Sequence, residues 1–345
     1  MEGRVRLGII GCGAATEQRH LPAARVLPEV EVAALVDRDL ARARRLARRY
    51  GVPLATDALP ALEGQVDGVI VALPNHLHAP VAEAFLSRGV PVLVEKPLAR
   101  TVAEATGVVE AARRAGVALQ VGHMYRFSKA ARLTRRLLRD GWLGPLRSFS
   151  AVFATVFGWP LASGFAWSRE QAGGGILIDV GAHVLDLLLW WLGPVADVAY
   201  RDDNLGGVEA ESQLTLTLEG PAGPVTGEVL LSRLRACGTY VRFVGERCSL
   251  QCGLSGSLAV RVWPSEGPWG EATLVADHGP GGPDSFRHMY VEQLRAFARA
   301  IREGPPAAVS GEDVLPSLAL TERCYRERRP LVHPWMAPAR VEVPA

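Results

Sequence analysis

Cysteine is scarce and unevenly placed in this chain of 345 residues. The five cysteines, Cys12, Cys237, Cys248, Cys252 and Cys324, are odd in number and scattered, which argues against a disulfide framework and favours a reducing compartment, the cytoplasm. Cys248 and Cys252 lie close together, but no second ligand pair accompanies them. Because zinc needs four ligands, we expect no metal site there.

An excess of charge of one sign is also lacking. The 38 basic and 36 acidic residues leave a formal net charge of +2, which gives no reason to expect a nucleic-acid partner. No apolar stretch approaches a membrane span, because the nearest candidate, around residues 185–192, is broken by Asp186. The sequence therefore predicts a protein without nucleic-acid or membrane partners.

The length of the chain predicts two domains, because one hydrophobic core rarely grows beyond roughly 250–300 residues. From residue 4 to 122, short apolar runs alternate with amphipathic helical segments, which is typical of a doubly wound parallel sheet. The predicted strands are residues 4–10, 31–36, 68–72, 90–94 and 118–122, and the predicted helices are residues 15–27, 39–50, 79–88 and 102–115.

The pattern changes after Gly144-Pro145. Successive β segments without crossover helices indicate a mainly antiparallel sheet. The predicted strands are residues 147–157, 210–218, 225–231, 239–244 and 258–263, and the predicted helices are residues 128–140, 174–192, 285–302 and 312–328. The stretch 279–284, rich in Gly and Pro, is interpreted as a surface loop, with a substrate lid as the alternative.

A glycine-rich turn follows the first predicted strand and begins a helix. Gly11 and Gly13 permit a tight turn and let a pyrophosphate rest on the helix N-terminus, where Ala14 and Ala15 lie. Thr16 occupies the third glycine position of the usual dinucleotide fingerprint, so the fingerprint is incomplete. By itself the turn is also compatible with a plain strand-to-helix junction.

Asp37 strengthens the prediction of a dinucleotide site. It ends the second predicted strand, where an acid accepts hydrogen bonds from the adenosine ribose hydroxyls. An acid at this position disfavours a 2′-phosphate, so NAD is the expected cofactor, while the neighbouring Arg38 keeps NADP open. The alternative interpretation of Asp37 is a cap for helix 39–50.

Two further motifs end predicted strands of the parallel sheet, at the edge where such sheets bind ligands. Leu73, Asn75 and His78 belong to the first, and they are expected to contact the cofactor. His76 and His78 have no third ligand nearby, so a cofactor contact or a helix cap is favoured over a metal. In the second motif, Glu95 and Lys96 precede a proline, and Lys96 can contact both the nicotinamide ribose and the substrate oxygen. Its alternative is an exposed lysine at a strand end.

A glycine run, Gly173-Gly174-Gly175, precedes Asp179 and His183. Residues four apart share one face of a helix, so the carboxylate is expected to orient the ring and stabilise its charged form as a proton-transfer pair. The glycines let another backbone or a cofactor approach closely. The plainer alternative is a carboxylate at a helix N-terminus and a packed histidine.

These motifs together resemble the glucose–fructose oxidoreductase/inositol dehydrogenase (Gfo/Idh/MocA) family over nearly the whole chain. The resemblance implies an α/β Rossmann domain over residues 1–124, followed by an α+β domain with an open, mainly antiparallel sheet over residues 125–345. It also implies homodimers or homotetramers, and hydride transfer between NAD(P) and a carbinol carbon of a sugar, inositol or sugar nucleotide. Lys96, Asp179 and His183 are then the catalytic group, with His183 as the base.

Side-chain chemistry suggests a substrate site for such a molecule. Aromatic rings stack on the apolar face of a sugar, and arginine holds a phosphate. The candidates are Tyr125, Arg126, Trp167 and Arg169, and Arg233 and Tyr240 are further ones. Two rival functions stay open: a glycoside hydrolase that uses NAD without net redox, and a non-catalytic NAD(P)-binding regulator.

Overall fold

A computed structural model describes residues 3–220, 222–255, 259–264, 272–274 and 285–331. The first sheet is parallel throughout, with the strand order β3-β2-β1-β4-β5-β6. Its strands are β1 (Val5–Ile10), β2 (Val30–Val36), β3 (Leu54–Thr56), β4 (Gly68–Val71), β5 (Val92–Val94) and β6 (Leu119–Val121). Four helices alternate with these strands along the chain: α1 (Leu21–Ala24), α2 (Leu40–Tyr50), α3 (His78–Leu86) and α4 (Val102–Ala115). Helix α5 (Lys129–Arg139) follows β6 and leads into the second part of the protein.

All five strands predicted for this sheet are present, because a strand buried on both faces is a conspicuous apolar run. The short strand β3 was missed, since three half-buried residues carry no readable period. The predicted helix 15–27 is a π-helix over Thr16–His20 followed by the short α1. The strand order reverses between β1 and β4, which creates the crevice where sheets of this kind bind ligands.

The second sheet has nine strands among the described residues, in the order β14-β13-β12-β11-β7-β10-β9-β8-β15. Neighbouring strands are antiparallel except β7 with β10 and β8 with β15, so the predicted open, mainly antiparallel sheet is confirmed. The strands are β7 (Leu146–Ala154), β8 (Val195–Asp202), β9 (Glu211–Gly220), β10 (Gly223–Ser232), β11 (Gly238–Gly245), β12 (Cys248–Gly253), β13 (Val260–Pro264), β14 (Ala272–Leu274) and β15 (Arg329–Pro330).

The cysteine pair at 248 and 252 belongs to a strand that the sequence analysis missed. Cys252 is buried in β12, which pairs with β11. All five cysteines lie in the described part of the chain, and no disulfide joins them. Residue 258 of the predicted strand 258–263 and the predicted loop 279–284 lie outside the described residues.

The remaining helices are α6 (Arg169–Ala172), α7 (Ala182–Leu192), α8 (Phe286–Glu303) and α9 (Gly311–Arg326), and a π-helix over Leu177–Gly181 leads into α7. Although they come late in the chain, α8 and α9 return to the first sheet. The Gln120 side chain donates to the carbonyl of Gln293 at 2.9 Å, and α9 packs against α4. One cluster of buried apolar side chains therefore extends through both parts of the protein, and the domain limits 1–124 and 125–345 stay a prediction.

One helical stretch, Arg169–Leu192, is long and apolar enough to cross a membrane by length and composition, contrary to the expectation that no stretch approaches that length. Within the protein, 78% of its apolar window is buried. Most of the stretch therefore belongs to the hydrophobic core of this fold.

Candidate active site

The glycine loop after β1 is a tight turn that only glycine fits at its first position. Gly11 has φ +98°, and a Cβ atom there would lie 2.1 Å from the carbonyl oxygen of Ala72. Thr16, at the incomplete third position of the fingerprint, is fully buried, and its hydroxyl donates to the Gly11 carbonyl at 2.5 Å. Thr16 therefore closes the turn from inside. Gly13, Ala14 and Ala15 are partly exposed at the beginning of the helix.

Asp37 fastens this loop to the end of β2. Its Oδ2 accepts from the backbone N–H of Cys12 at 2.7 Å, and its Oδ1 accepts from that of Asp39 at 2.8 Å. The interpretation of Asp37 as the cap of helix 39–50 is wrong, because Asp39 accepts the hydrogen bond from Arg42 at the beginning of α2. Arg38 is exposed beside Asp37.

His78 and Asn75 connect loops. The Nδ1 and Nε2 atoms of His78 lie 2.7 Å from the carbonyl oxygens of Pro97 and Leu73, so neither ring nitrogen remains for the predicted cofactor contact. Burial lowers the pKa of the His78 imidazole. The amide nitrogen of Asn75 donates to the Ala172 carbonyl at 2.8 Å, directly before the glycine run. The side chains of His78 and Asn75 thus hold the strand-end loops in place.

Glu95 is buried behind the lysine and binds His20, a residue that the sequence analysis did not single out. The His20 Nε2 lies 2.8 Å from Glu95 Oε1, and the His20 ring stands edge-on to Tyr290 with centroids 5.2 Å apart. Burial by itself raises the pKa of Glu95, but the hydrogen bond with His20 and nearby positive charge outweigh it, so this pKa is lowered. Glu95 is therefore an anion beside Lys96.

Asp179 lies between two cations. Lys96 Nζ donates to Asp179 Oδ1 at 2.5 Å and to its backbone carbonyl at 3.0 Å, while Arg233 Nη2 donates to Oδ2 at 2.6 Å. Burial opposes ionisation, but the charges of Lys96 and Arg233 hold the pKa of Asp179 far below its usual range. Asp179 is consequently anionic at neutral pH and unsuited to accept a proton.

His183 is held by aromatic rings. It is 7% exposed, and its ring stands edge-on to Tyr125 and His123 with centroids 5.1 and 5.9 Å apart. Burial first, and then the charge of Lys96, lower the pKa of His183 well below its usual value. The ring is therefore neutral at neutral pH, the state that a general base requires.

The predicted hydrogen-bonded pair of Asp179 and His183 does not form. No hydrogen bond joins the two side chains in the described part of the chain, where His183 Nδ1 is buried without a partner. Asp179 sits in the π-helix, whose i to i+5 hydrogen bonds change the spacing of side chains, and its carboxylate is bound by Lys96 and Arg233.

The glycine run permits the approach of a backbone segment. A Cβ atom on Gly175 would lie 2.1 Å from the carbonyl oxygen of Glu209, and one on Gly174 would lie 2.0 Å from the Tyr325 hydroxyl. Of the two alternatives, another backbone or a cofactor, the structure places backbone there.

Among the described residues, no group of three or more His, Cys, Asp or Glu side chains is arranged to hold a metal ion.

The four predicted substrate residues differ from one another in burial and in side-chain contacts. Tyr125 is buried against His183, and Trp167, 54% exposed, packs edge-on to Phe157 above the guanidinium of Arg233. Arg126 forms a buried bidentate pair with Asp186, at 2.9 and 2.6 Å, so its guanidinium is not presented to a ligand.

Arg169 is exposed and stacks on Tyr325, 5.4 Å from the ring centroid. Tyr125 and Trp167 are therefore the two candidates that contact the residues around Asp179 and His183. The sequence analysis gave Arg233 only as a substrate candidate, and no local signal connects it with Asp179, 54 residues away.

A glycine loop at the reversal point of a parallel sheet is typical of a dinucleotide-binding domain, and a lysine–aspartate pair near a neutral imidazole fits proton transfer. Residues 5–123 match the oxidoreductase family with an NAD-binding Rossmann fold, and residues 131–251 match the GFO/IDH/MocA C-terminal domain. The chain belongs to the GFO/IDH/MocA family of oxidoreductases, as its resemblance indicated.

Individual relatives agree with this assignment. The rhizopine catabolism protein MocA of Rhizobium meliloti is 30% identical over 92% of this chain and 93% of its own length. The putative UDP-kanosamine synthase oxidoreductase subunit of Amycolatopsis mediterranei is 40% identical over 61% of this chain, and the match spans 63% of that protein. A levoglucosan dehydrogenase solved with NADH and levoglucosan has the same fold, with a TM-score of 0.84, 21% identity and coverage of 94% of this chain and 97% of its own.

Proposed function

We propose that this protein transfers a hydride between NAD(P) and a carbinol carbon of a sugar, inositol or sugar nucleotide. Lys96, Asp179 and His183 form the catalytic group. The observation that carries the proposal is the Lys96–Asp179 ion pair at 2.5 Å near a buried, neutral His183 at the ligand-binding edge of the Rossmann sheet. The sugar and sugar-nucleotide names of the relatives support the substrate class.

The residues at the first strand fit a dinucleotide. The partly exposed backbone at Gly13, Ala14 and Ala15 offers N–H groups to a pyrophosphate, and Gly11 lets the chain approach it. Each oxygen of Asp37 accepts one protein hydrogen bond, and a carboxylate has about four acceptor sites, so capacity remains for ribose hydroxyls. A nicotinamide bound there would supply hydride transfer in either direction.

In the oxidative direction, His183 receives the proton of the substrate hydroxyl. The Lys96 ammonium stabilises the negative charge that develops on that oxygen, because a nearby fixed cation acts strongly in a partly desolvated site. Asp179 holds the Lys96 amine in position, since it accepts from Nζ through both its carboxylate and its carbonyl. In the reductive direction, the same groups act in reverse.

The substrate ring lies against the exposed face of Trp167, because the apolar face of a sugar packs on an aromatic ring. Tyr125 borders the base, and Leu73 and Glu95 border the cofactor.

Lack of any disulfide among the five cysteines supports the cytoplasm as the location. The open sheet is proposed to join copies of the chain into a homodimer or homotetramer, which analytical ultracentrifugation tests.

The test follows NADH formation at 340 nm with inositols, hexoses, sugar phosphates and nucleotide sugars, using NAD or NADP. The chain has only two lysines, Lys96 and Lys129, so Lys129→Ala is a matched control for Lys96→Ala. We expect activity that Lys96→Ala abolishes and Lys129→Ala retains. Silence over the whole panel, with NADH still bound, contradicts the proposal. Release of nitrophenol from nitrophenyl glycosides in that case indicates the hydrolase, and its absence indicates the regulator.

A further inference from the structure

We propose that Glu209 is a positioning residue of the active site: its buried carboxylate fixes the beginning of the helical segment that carries Asp179 and thereby sets the Lys96–Asp179 pair. This inference rests on the proposed function, because it assigns a role toward the same catalytic group. Glu209 itself touches neither Lys96 nor His183 through any hydrogen bond among the described residues.

Glu209 satisfies three successive backbone N–H groups where the helix begins. Its Oε2 accepts from Gly175 at 2.9 Å, its Oε1 accepts from Leu177 at 3.0 Å, and its own carbonyl accepts from Ile176 at 2.9 Å. The first N–H groups of a helix have no partner within the helix, so they need acceptors of this kind when they are buried. Glu209 is fully buried, and water therefore cannot replace it as the acceptor.

The glycine run and Tyr325 belong to the same arrangement. Gly175 admits the Glu209 backbone and Gly174 admits the Tyr325 hydroxyl, each at a distance that a Cβ atom would block. That hydroxyl donates to Glu209 Oε1 at 2.7 Å and so fixes the carboxylate from the opposite side. The glycines before Asp179 therefore make room for Glu209 and Tyr325, which are residues of the protein itself.

The segment that Glu209 holds is also the one whose Asp179 accepts hydrogen bonds from Lys96. The backbone N–H of Asp179 donates to the Gly175 carbonyl at 3.2 Å, so Asp179 lies one turn from the residues that Glu209 binds. Lys96 Nζ contacts the Asp179 carbonyl as well as its carboxylate, and a shift of the backbone therefore disturbs both contacts. Small displacements of this kind lower the catalytic rate strongly, because reacting groups must be held within a fraction of an ångström.

The test uses Glu209→Gln, with Glu211→Gln as the matched control. Glutamine keeps the shape but turns an N–H donor toward a backbone N–H, so one hydrogen bond is lost. Glu211 begins β9 two residues later, is 1% exposed and pairs with Arg235 at 2.7 Å, so its replacement also perturbs a buried carboxylate.

The first readout needs no substrate. Acetic anhydride labels Lys96 and Lys129, and mass spectrometry gives the two rates separately. We expect Glu209→Gln to raise the Lys96 rate about tenfold, since a lost hydrogen bond to a charged group loosens the pair by that order, and to leave Lys129 unchanged. In Glu211→Gln both rates stay at the wild-type value.

The second readout is kinetic. In Glu209→Gln, kcat falls about tenfold while the Kd of NADH is unchanged, and Glu211→Gln keeps its kcat. Wild-type rates for Lys96 labelling and kcat in Glu209→Gln overturn the inference, as does an equal loss in both variants. If Glu209→Gln does not fold, Tyr325→Phe removes a single donor and shows the same changes to a smaller degree. A wild-type enzyme inactive on every substrate refutes the proposed function alone, because the labelling still decides the role of Glu209.

Discussion

Replacing Arg126 by methionine is expected to destabilise the protein rather than weaken substrate binding. The guanidinium makes two hydrogen bonds to Asp186, at 2.9 and 2.6 Å, and the two side chains are 10% and 2% exposed. Removing one partner of a buried pair costs about 3–5 kcal/mol, because the other charge is left uncompensated. His123 Nδ1 lies 3.5 Å from Asp186, and burial lowers the pKa of this histidine, so it replaces the lost charge poorly.

Urea denaturation measures this loss. With a slope of about 3 kcal/mol/M, the midpoint falls by about 1–1.7 M in Arg126→Met. Arg139→Met is the control, because Arg139 pairs with Asp140 on the surface and its side chain is 73% exposed, so its midpoint stays within about 0.2 M of wild type. The double variant Arg126→Met/Asp186→Leu recovers most of the stability, since no charge remains buried. An unchanged midpoint together with a raised KM for substrate would refute this reasoning and restore Arg126 to the substrate site.

Three further outcomes are expected. The acid limb of kcat/KM for oxidation has its midpoint below pH 6.5, because burial and Lys96 lower the pKa of His183. The neutral base is lost only as pH falls through that lowered pKa. A midpoint at pH 6.5 or above contradicts a buried His183 as the base. Asp37→Ala shifts the ratio of kcat/KM for NAD over NADP toward NADP, since a ribose acceptor disappears while Arg38 stays, and an unchanged ratio refutes the role of Asp37. Trp167→Ala raises the KM of the sugar about tenfold without changing Tm, whereas Trp142→Ala, at a side chain 66% exposed, changes neither; equal KM values in both variants contradict the sugar platform.

Local signals in the sequence were sufficient for most elements of the first sheet and for the residues at its ligand-binding edge. Buried parallel strands are apolar runs, and the glycine loop, Asp37 and Lys96 follow strand ends, which meet at one edge of a parallel sheet. The strands β8 and β12 were missed, because their alternation includes charged and polar residues and shows only once the sheet defines an inner face. The return of α8 and α9 to the first sheet has no local signature either.

The sequence by itself determined which residue types belong to the candidate site: the glycine turn, Lys96, Asp179 and His183. Tertiary structure decided which of them touch. In the structure, Asp179 pairs with Lys96 and Arg233, and Arg126 pairs with Asp186. The glycine run binds Glu209 through the backbone N–H of Gly175. The physical reason is that a hydrogen bond depends on distance and direction in space. Spacing along one helix predicts only neighbours on that helix, whereas the partners of these groups come from other strands and helices.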